Sequence, residues 1–400
     1  MRPWLALIGI GEDGAEALSA AARRRIAEAE LVVGGKRHVA LAGSFPGETL
    51  VWPSPLTDAI PSILARRGQP VAVLASGDPF FYGVGSTFSA RVPATEMTCL
   101  PAPSAFSLAA ARLGWAQQDC ALVSLHGHAL ERIIPYLQPG ARILALSWDG
   151  GTPKKLAALL AERRMGRSRL HVCEAMGGPR ERLTMRLAQD FALDAVDPLN
   201  TLAIEVVAEP DAKVLALTPG LPDEMFENDG QITKRDIRAM TLAALAPRRG
   251  EMLWDIGAGC GSVAIEWMLR HRANRAAAIE ARADRVLRIA RNAAALGVPG
   301  LEIVEGSAPQ ALAGLPSPDA VFVGGGASEA VLDAAWQALP QRGRLVANAV
   351  TVETQALLMR RRGLQGGELV TMQIAQAAPL GRRQAFRPAL TVMRWSAVRP

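Results

Sequence analysis

From residue 4 onward, short apolar runs alternate with stretches whose apolar residues recur at helical spacing. Runs at 4–10, 31–33, 71–75, 120–125, 142–148, 170–174 and 202–207 read as strands, and 15–28 and 154–164 as helices. Several of the strand runs are apolar nearly throughout, the pattern of strands covered on both faces. Alternation of this kind predicts parallel sheets flanked by helices. At 217–231 the pattern breaks: "LTPGLPDEMFENDGQ" holds two prolines, two glycines and four acids. A second alternation follows, with a helix over 234–245 and strands over 252–256, 276–280, 301–304, 320–323, 344–349, 368–374 and 388–394. The last two strands have only the loop "AQAAPLGRRQAF" between them, which predicts an antiparallel pair closing an otherwise parallel sheet. The chain therefore reads as two α/β domains, 1–210 and 231–400, joined by a linker at 211–230 that looks free of core residues.

Length and composition agree. Four hundred residues suit two or three domains, and with half the residues hydrophobic and a fifth charged each can bury a core. No uncharged apolar run approaches the roughly 18 residues of a membrane helix, and no signal peptide is visible at the N-terminus. The four cysteines are widely separated with no CxxC pair, as expected in a reducing compartment, so a cytoplasmic protein without a metal centre is expected. Net charge is +6 and nearly all basic residues are arginine. That implies either a solvated surface or a partner with several negative groups, nucleic acid or polycarboxylate, and charge alone does not separate them.

The sharper motif is "LWDIGAGCGSVAIEW" at 253–267. An apolar strand containing Asp255 leads into a turn with Gly257, Gly259 and Gly261, and a helix starts near Ser262. Glycines there let a ligand approach the backbone at the carboxyl edge of a sheet. The next strand ends in Glu280, placed to take both hydroxyls of a ribose, and Gly306 to Ala308 could wall an adenine. The GxGxG spacing with Asp255 before it suits a cationic aminoacyl group better than a pyrophosphate. In the first half, "LALIGIGEDG" carries Gly9 and Gly11 at a strand end, and "LASGDPFFYGVG" places Gly77-Asp78-Pro79 after another apolar strand.

Together with "QITKRDIRAMTLAAL", "DAVFVGGGA" and "LVANAVTVET", the second half resembles class I S-adenosylmethionine (SAM)-dependent methyltransferases of the CbiT subfamily, which act on corrin precursors. That resemblance puts Thr233 against SAM. The first half, with "LPAPSAFSLAAARLGW" and "SLHGH", resembles class III tetrapyrrole methyltransferases of the CbiE type, whose SAM lies in a cleft between two α/β subdomains. The positions carried over are Gly77, Asp78, Ser104, Ala105, Met176, Ala203 and Ile204. The first loop has Glu12-Asp13 where many class III enzymes have Pro-Gly-Asp. The implied fold is an N-terminal class III domain of two subdomains followed by a Rossmann-like class I domain, with two SAM sites per chain.

The resemblance implies C-methylation of a precorrin at carbons 5 and 15 with loss of the ring C acetate carboxyl as carbon dioxide, in cobalamin biosynthesis, by a homo-oligomer that binds neither nucleic acid nor membrane. Electron-rich ring carbons can attack a methyl held in line, so positioning can supply much of the rate. Acid–base or substrate-binding candidates are Asp78, Tyr82 and His126, the last sharing a strand face with His128. Arg235 and Arg238, next to Thr233, could pair with substrate carboxylates. The rival reading is a class I RNA methyltransferase, but no basic patch interleaved with aromatics supports it.

Overall fold

The computed structural model describes residues 3–400. The chain divides into two compact units, the first made of residues up to 130 with 136–214, the second of 131–135 with 215–400.

The first unit holds two sheets. Strands β1 (Leu5–Ile10), β2 (Leu31–Gly34), β3 (Glu48–Val51), β4 (Val71–Ser76) and β5 (Met97–Leu100) form a parallel sheet in the order β3-β2-β4-β1-β5. Every residue of β1 is buried because apolar clusters cover both faces. Leu5, Leu7, Val33 and Val73 pack on Ile63 and Phe88, while Ala6, Ile8, Val32 and Leu74 pack on Leu18 and Ile26. The helix expected over 15–28 is two helices, Gly14–Ala17 and Ala20–Ala27. Ser19 breaks the first and caps the second, its Oγ accepting from the amide of Ala22 (3.1 Å).

The second sheet has the order β6-β7-β10-β8-β9, from β6 (Cys120–Ser124), β7 (Arg142–Leu146), β8 (Arg169–Glu174), β9 (Arg182–Leu187) and β10 (Asn200–Glu205). It is mixed rather than parallel: only β6 and β7 run parallel, and β10 lies antiparallel to both neighbours. Short turns, not helices, connect β8 to β9, and a turn of that length joins only antiparallel strands.

In the second unit, β11 (Met252–Ile256), β12 (Arg275–Glu280), β13 (Glu302–Glu305), β14 (Ala320–Val323), β15 (Arg344–Ala349) and β16 (Glu368–Met372) precede β17 (Ala375–Leu380), β18 (Arg383–Pro388) and β19 (Val392–Val398). Seven of them form one sheet, β13-β12-β11-β14-β15-β19-β16, parallel except for β19, which runs antiparallel between β15 and β16. The expected closing pair is therefore present as β16 and β19. The loop between them is itself a ribbon, β17 paired with β18, and exposes Leu380, Phe386 and Leu390.

The stretch 211–230 is not a core-free linker. Leu215, Leu221 and Phe226 are buried, and the amides of Gly220 and Leu221 donate to the carboxylate of Glu266 (2.7 and 2.9 Å), which lies wholly inside the second unit. Its prolines and acids gave the look of a spacer, but the apolar residues between them pack. Among the described residues no helix is long and apolar enough to cross a membrane, and no three His, Cys, Asp or Glu side chains are grouped to hold a metal ion.

Candidate functional site

In an open parallel sheet, ligands bind where neighbouring strands send their connections in opposite directions. In the first sheet β1 continues to β2 on one side and β4 continues to β5 on the other. The loops after β1 and β4 therefore part, and both carry the glycine motifs. Gly9 is required by close approach: a Cβ there would lie 1.8 Å from the Gly77 carbonyl oxygen and 2.4 Å from the Ala102 nitrogen. Gly77 in turn backs onto Pro103 and Ser104, at 3.0 and 2.8 Å from its missing Cβ. Beside these loops lies a cleft of about 140 Å³, lined by Gly9, Gly11, Asp13, Ala102, Pro103, Met176 and Gly177 among others.

Several of the expected residues thus converge and others do not. Ser104 caps the helix Ala105–Leu113, its Oγ accepting from Ser107 (3.2 Å), so Ser104 and Ala105 form the first turn beyond Gly77. Ala203 and Ile204 are fully buried in β10, which is flanked by strands on both sides, and neither presents surface to the cleft. Ala203 instead packs in the same buried cluster as Met176. Asp78 accepts from the amide of Phe80 (2.8 Å), shaping the turn. Tyr82 adopts a left-handed φ of 55° and its hydroxyl donates to the Leu122 carbonyl (3.1 Å). His126 and His128 share no strand face, because β6 ends at Ser124 and the chain turns through Gly127; His126 is exposed on that turn.

A cluster at the same edge was missed. Arg37 and His38, just after β2, meet Ser76 at the end of β4: Arg37 Nη2 donates to Ser76 Oγ (2.7 Å), and His38 Nε2 lies 2.8 Å from that oxygen. Burial, with Arg37 adding to it, pushes the His38 imidazole down to about 4. The only signal in the chain was the Gly-Gly pair that ends β2 in "LVVGGKRH".

The second unit repeats the logic. β11 leads to β12 and β14 to β15, in opposite directions, and the loops after β11 and β14 touch. Gly257 has φ +70°, and a Cβ on it would come within 2.6 Å of the Gly325 carbonyl oxygen. Gly259 and Gly261 also have positive φ, and Gly261 starts the helix Ser262–Leu269. Glu280, at the end of β12, accepts from the Gly259 amide (2.8 Å) and the Arg282 amide (3.1 Å), fixing the carboxylate against the turn. Gly306 donates its amide to the Glu280 carbonyl (2.9 Å), which brings the loop holding Ala308 to the same edge. The Gln231 carbonyl is 3.6 Å from the position of a Gly259 Cβ, so the segment with Thr233 borders the turn.

Asp255 is 1% exposed. Its Oδ2 accepts from the Ala264 amide (3.0 Å), while its Oδ1 is buried without a partner. Burial raises the carboxyl to about 7, against the pull of the Ala264 N–H and with a further push from Glu280. An orphaned buried carboxyl beside a glycine cradle and the strand-end acid Glu280 fits a ligand bearing a cationic amine.

Arg238 is not available to substrate. It is fully buried, its Nε donates to Glu266 (2.6 Å), its Nη1 pairs with Asp223 (3.0 Å), and it also reaches the carbonyls of Leu221 and Thr233. It anchors the entry segment instead. Arg235, one turn earlier, is exposed. Cys260 is buried and its thiol is pushed up by burial, as for an inert side chain.

Two α/β units, each with glycine turns at the switch point of a parallel sheet, define a tandem methyltransferase architecture. Residues 5–191 match the family model of tetrapyrrole (corrin/porphyrin) methylases, and 224–399 that of the precorrin methyltransferase domain. The chain is 54% identical over 396 residues to a precorrin-6Y C(5,15)-methyltransferase [decarboxylating] from Sinorhizobium sp, covering 98% of this chain and 96% of that one. It belongs to that family, whose members are SAM-dependent methyltransferases. Two shorter relatives match about half of it. One is a probable cobalt-precorrin-6B C(15)-methyltransferase (decarboxylating) of Pyrobaculum calidifontis, 35% identical over 44% of this chain and 92% of its own. The other is a cobalt-precorrin-7 C(5)-methyltransferase of Salmonella typhimurium, 31% identical over 48% of this chain and 96% of its own.

Proposed function

We propose that the chain methylates carbons 5 and 15 of a reduced, ring-contracted precorrin and removes the ring C acetate carboxyl as carbon dioxide, using two SAM sites, one per unit. The observation that carries this is the full-length identity to the bifunctional relative, together with two unlike glycine cradles in one chain. The existence of half-length relatives named for the C(5) and the C(15) reactions supports assigning carbon 5 to the first unit, and carbon 15 with decarboxylation to the second.

When bound, SAM supplies an electrophilic methyl at each site. The chain's part is to hold it. In the second unit Asp255 receives the ammonium, Glu280 the ribose hydroxyls, and Thr233 and Ala308 border the pocket, while the turn Gly257–Gly259–Gly261 admits the ligand to the backbone. In the first, Gly9, Gly11, Gly77, Asp78 and Met176 form the cradle, with Ser104 and Ala105 behind it. The electron pair left by carbon dioxide is delocalised by the conjugated macrocycle, so this half need only orient the carboxyl and shield it from water. Arg235, which is exposed, is the side chain we assign to a substrate carboxylate. We further infer a homo-oligomer working in the cytoplasm: Leu380, Phe386 and Leu390 lie exposed on or just beyond the β17–β18 ribbon, and all four cysteines are free thiols. The test is incubation with SAM and the reduced precorrin, followed by mass analysis. Two methyls gained and one carbon dioxide lost are expected; a product with neither change refutes the reading.

A further inference from the structure

Glu12 stands between Gly11 and Asp13, which line one wall of the first cleft; Met176 and Gly177, from the turn between β8 and β9, line another. The side chain is only 11% exposed, and its carboxylate is gripped from two sides. Arg37, from the helix Lys36–Ala42 that follows β2, pairs with one oxygen, and Arg180, three residues beyond Gly177, approaches the other at 3.6 Å. The backbones are in contact as well: a Cβ on Gly178 would lie 2.5 Å from the Glu12 Cβ. The remaining anchors of the turn are internal to its own subdomain. The Gly177 amide donates to Glu181 (2.7 Å), Glu181 is held by Arg112 (2.5 Å), and Glu174 is held by Arg182 (2.6 Å). The ion pair of Glu12 with Arg180, beside the close packing of Gly178 on Glu12, ties the turn to the loops of the first sheet.

We infer that Glu12 is a positioning residue that clasps the Met176 turn over the first cleft and slows exchange of the methyl donor. This rests on the reading of that cleft as a SAM site. The charges suit a clasp that opens once per turnover. Arg180 is 63% exposed, so its pair with Glu12 is screened and individually weak. When the pair breaks neither charge is stranded, because Arg180 keeps Asp197 and Glu12 keeps Arg37. Both the closed and the open arrangement are thus electrostatically satisfied, as a two-position element needs. It also gives a role to the acid that stands where many class III enzymes carry a different loop sequence.

The experiment measures dissociation of labelled SAM from the full chain, chased with unlabelled SAM, in a background of Gly257→Leu that closes the second cradle. Glu12→Gln and Arg180→Gln should each release SAM roughly three- to tenfold faster, and the double variant no faster than Glu12→Gln alone, since both remove one interaction. The parent rate should rise with salt and the variant rates should not. Thermal midpoints are recorded alongside, and Arg180→Gln, on an exposed side chain, serves if Glu12→Gln folds poorly. Unchanged release rates, or effects that add in the double variant, overturn the clasp while leaving the SAM site intact. A parent that binds no SAM in the first unit overturns both.

Discussion

Asp255 should make the SAM site proposed for the second unit sensitive to pH across neutrality. The carboxyl is buried, one oxygen has a single N–H donor and the other none, and its pKa is raised to about 7 from 3.8. Only the ionised form attracts an ammonium, so apparent affinity scales with the ionised fraction. That fraction is about one half at pH 7, about a tenth at pH 6 and about nine tenths at pH 8. Affinity should therefore weaken by nearly tenfold from pH 8 to pH 6, with about half a proton released on binding at pH 7. Asp255→Asn keeps the shape and the Ala264 contact but removes the charge. It should flatten the profile and weaken binding at pH 8 by roughly tenfold or more, the scale of one charge-assisted hydrogen bond. The same shift has the opposite sense for stability. Between about pH 4 and 7 the folded protein holds a proton that the unfolded chain has released, so Asp255 makes the fold progressively less stable as pH rises through that window. The Asn variant should gain on the parent in thermal midpoint as pH goes from 5 to 8. Calorimetric titration in two buffers of different ionisation enthalpy reads both affinity and proton release, and the difference between parent and variant isolates this site from the first. Identical pH slopes in the two proteins would refute the reasoning.

Glu280→Ala should weaken SAM binding in the second unit by at least about tenfold, seen as loss of one class of site in equilibrium binding, because it removes the proposed ribose acceptor and frees the Gly259 amide it fixes. Gly77→Leu should lower the stoichiometry from the proposed two SAM per chain to one, since any side chain there meets Pro103 and Ser104. Arg238→Met leaves Glu266 buried without its cation and should cost about 3–5 kcal/mol in denaturant unfolding of the second unit. Severing the chain between 214 and 215 should yield a soluble 215–400 fragment, whereas a fragment starting at 231 should aggregate, because it lacks Leu221 and Phe226, takes the two amide donors from Glu266 and takes Asp223 from Arg238; equal solubility of the two by gel filtration counts against the packing described.

How far the fold was legible follows from what each element asks of its residues. Strands covered on both faces, such as β1, β4, β11 and β14, are continuous apolar runs and stand out. The exposed edge strands β3 and β9 do not. β3 reads "ETLV", β9 reads "RLTMRL", and β17 with β18 form a ribbon outside the sheet. They bury little, so nothing in their hydropathy distinguishes them from loops. The antiparallel course of β10 was hidden for another reason: its run is as apolar as that of a parallel strand, and direction is set by the length of the connections, not by the run itself.

The site divides along a similar line. Residues whose role lies in backbone geometry, Gly9, Gly77 and Gly257, were legible because only glycine tolerates the approach that the fold imposes. Residues whose role depends on partners far along the chain were not. Arg238 looked like a substrate ligand because the family resemblance sets neighbouring Thr233 against SAM; its acid, Glu266, is 28 residues away on the helix that follows the glycine turn. With both side chains fully buried, the pair is worth keeping only if the remaining bonds are satisfied. They are, by Gly220, Leu221, Asp223 and the Thr233 carbonyl. That explains why the segment opening the second unit is proline- and acid-rich yet packed: it supplies the polar partners that let an arginine and a glutamate sit together inside the domain, and Arg238, so held, fixes through the Thr233 carbonyl the strip of chain that borders the second glycine turn.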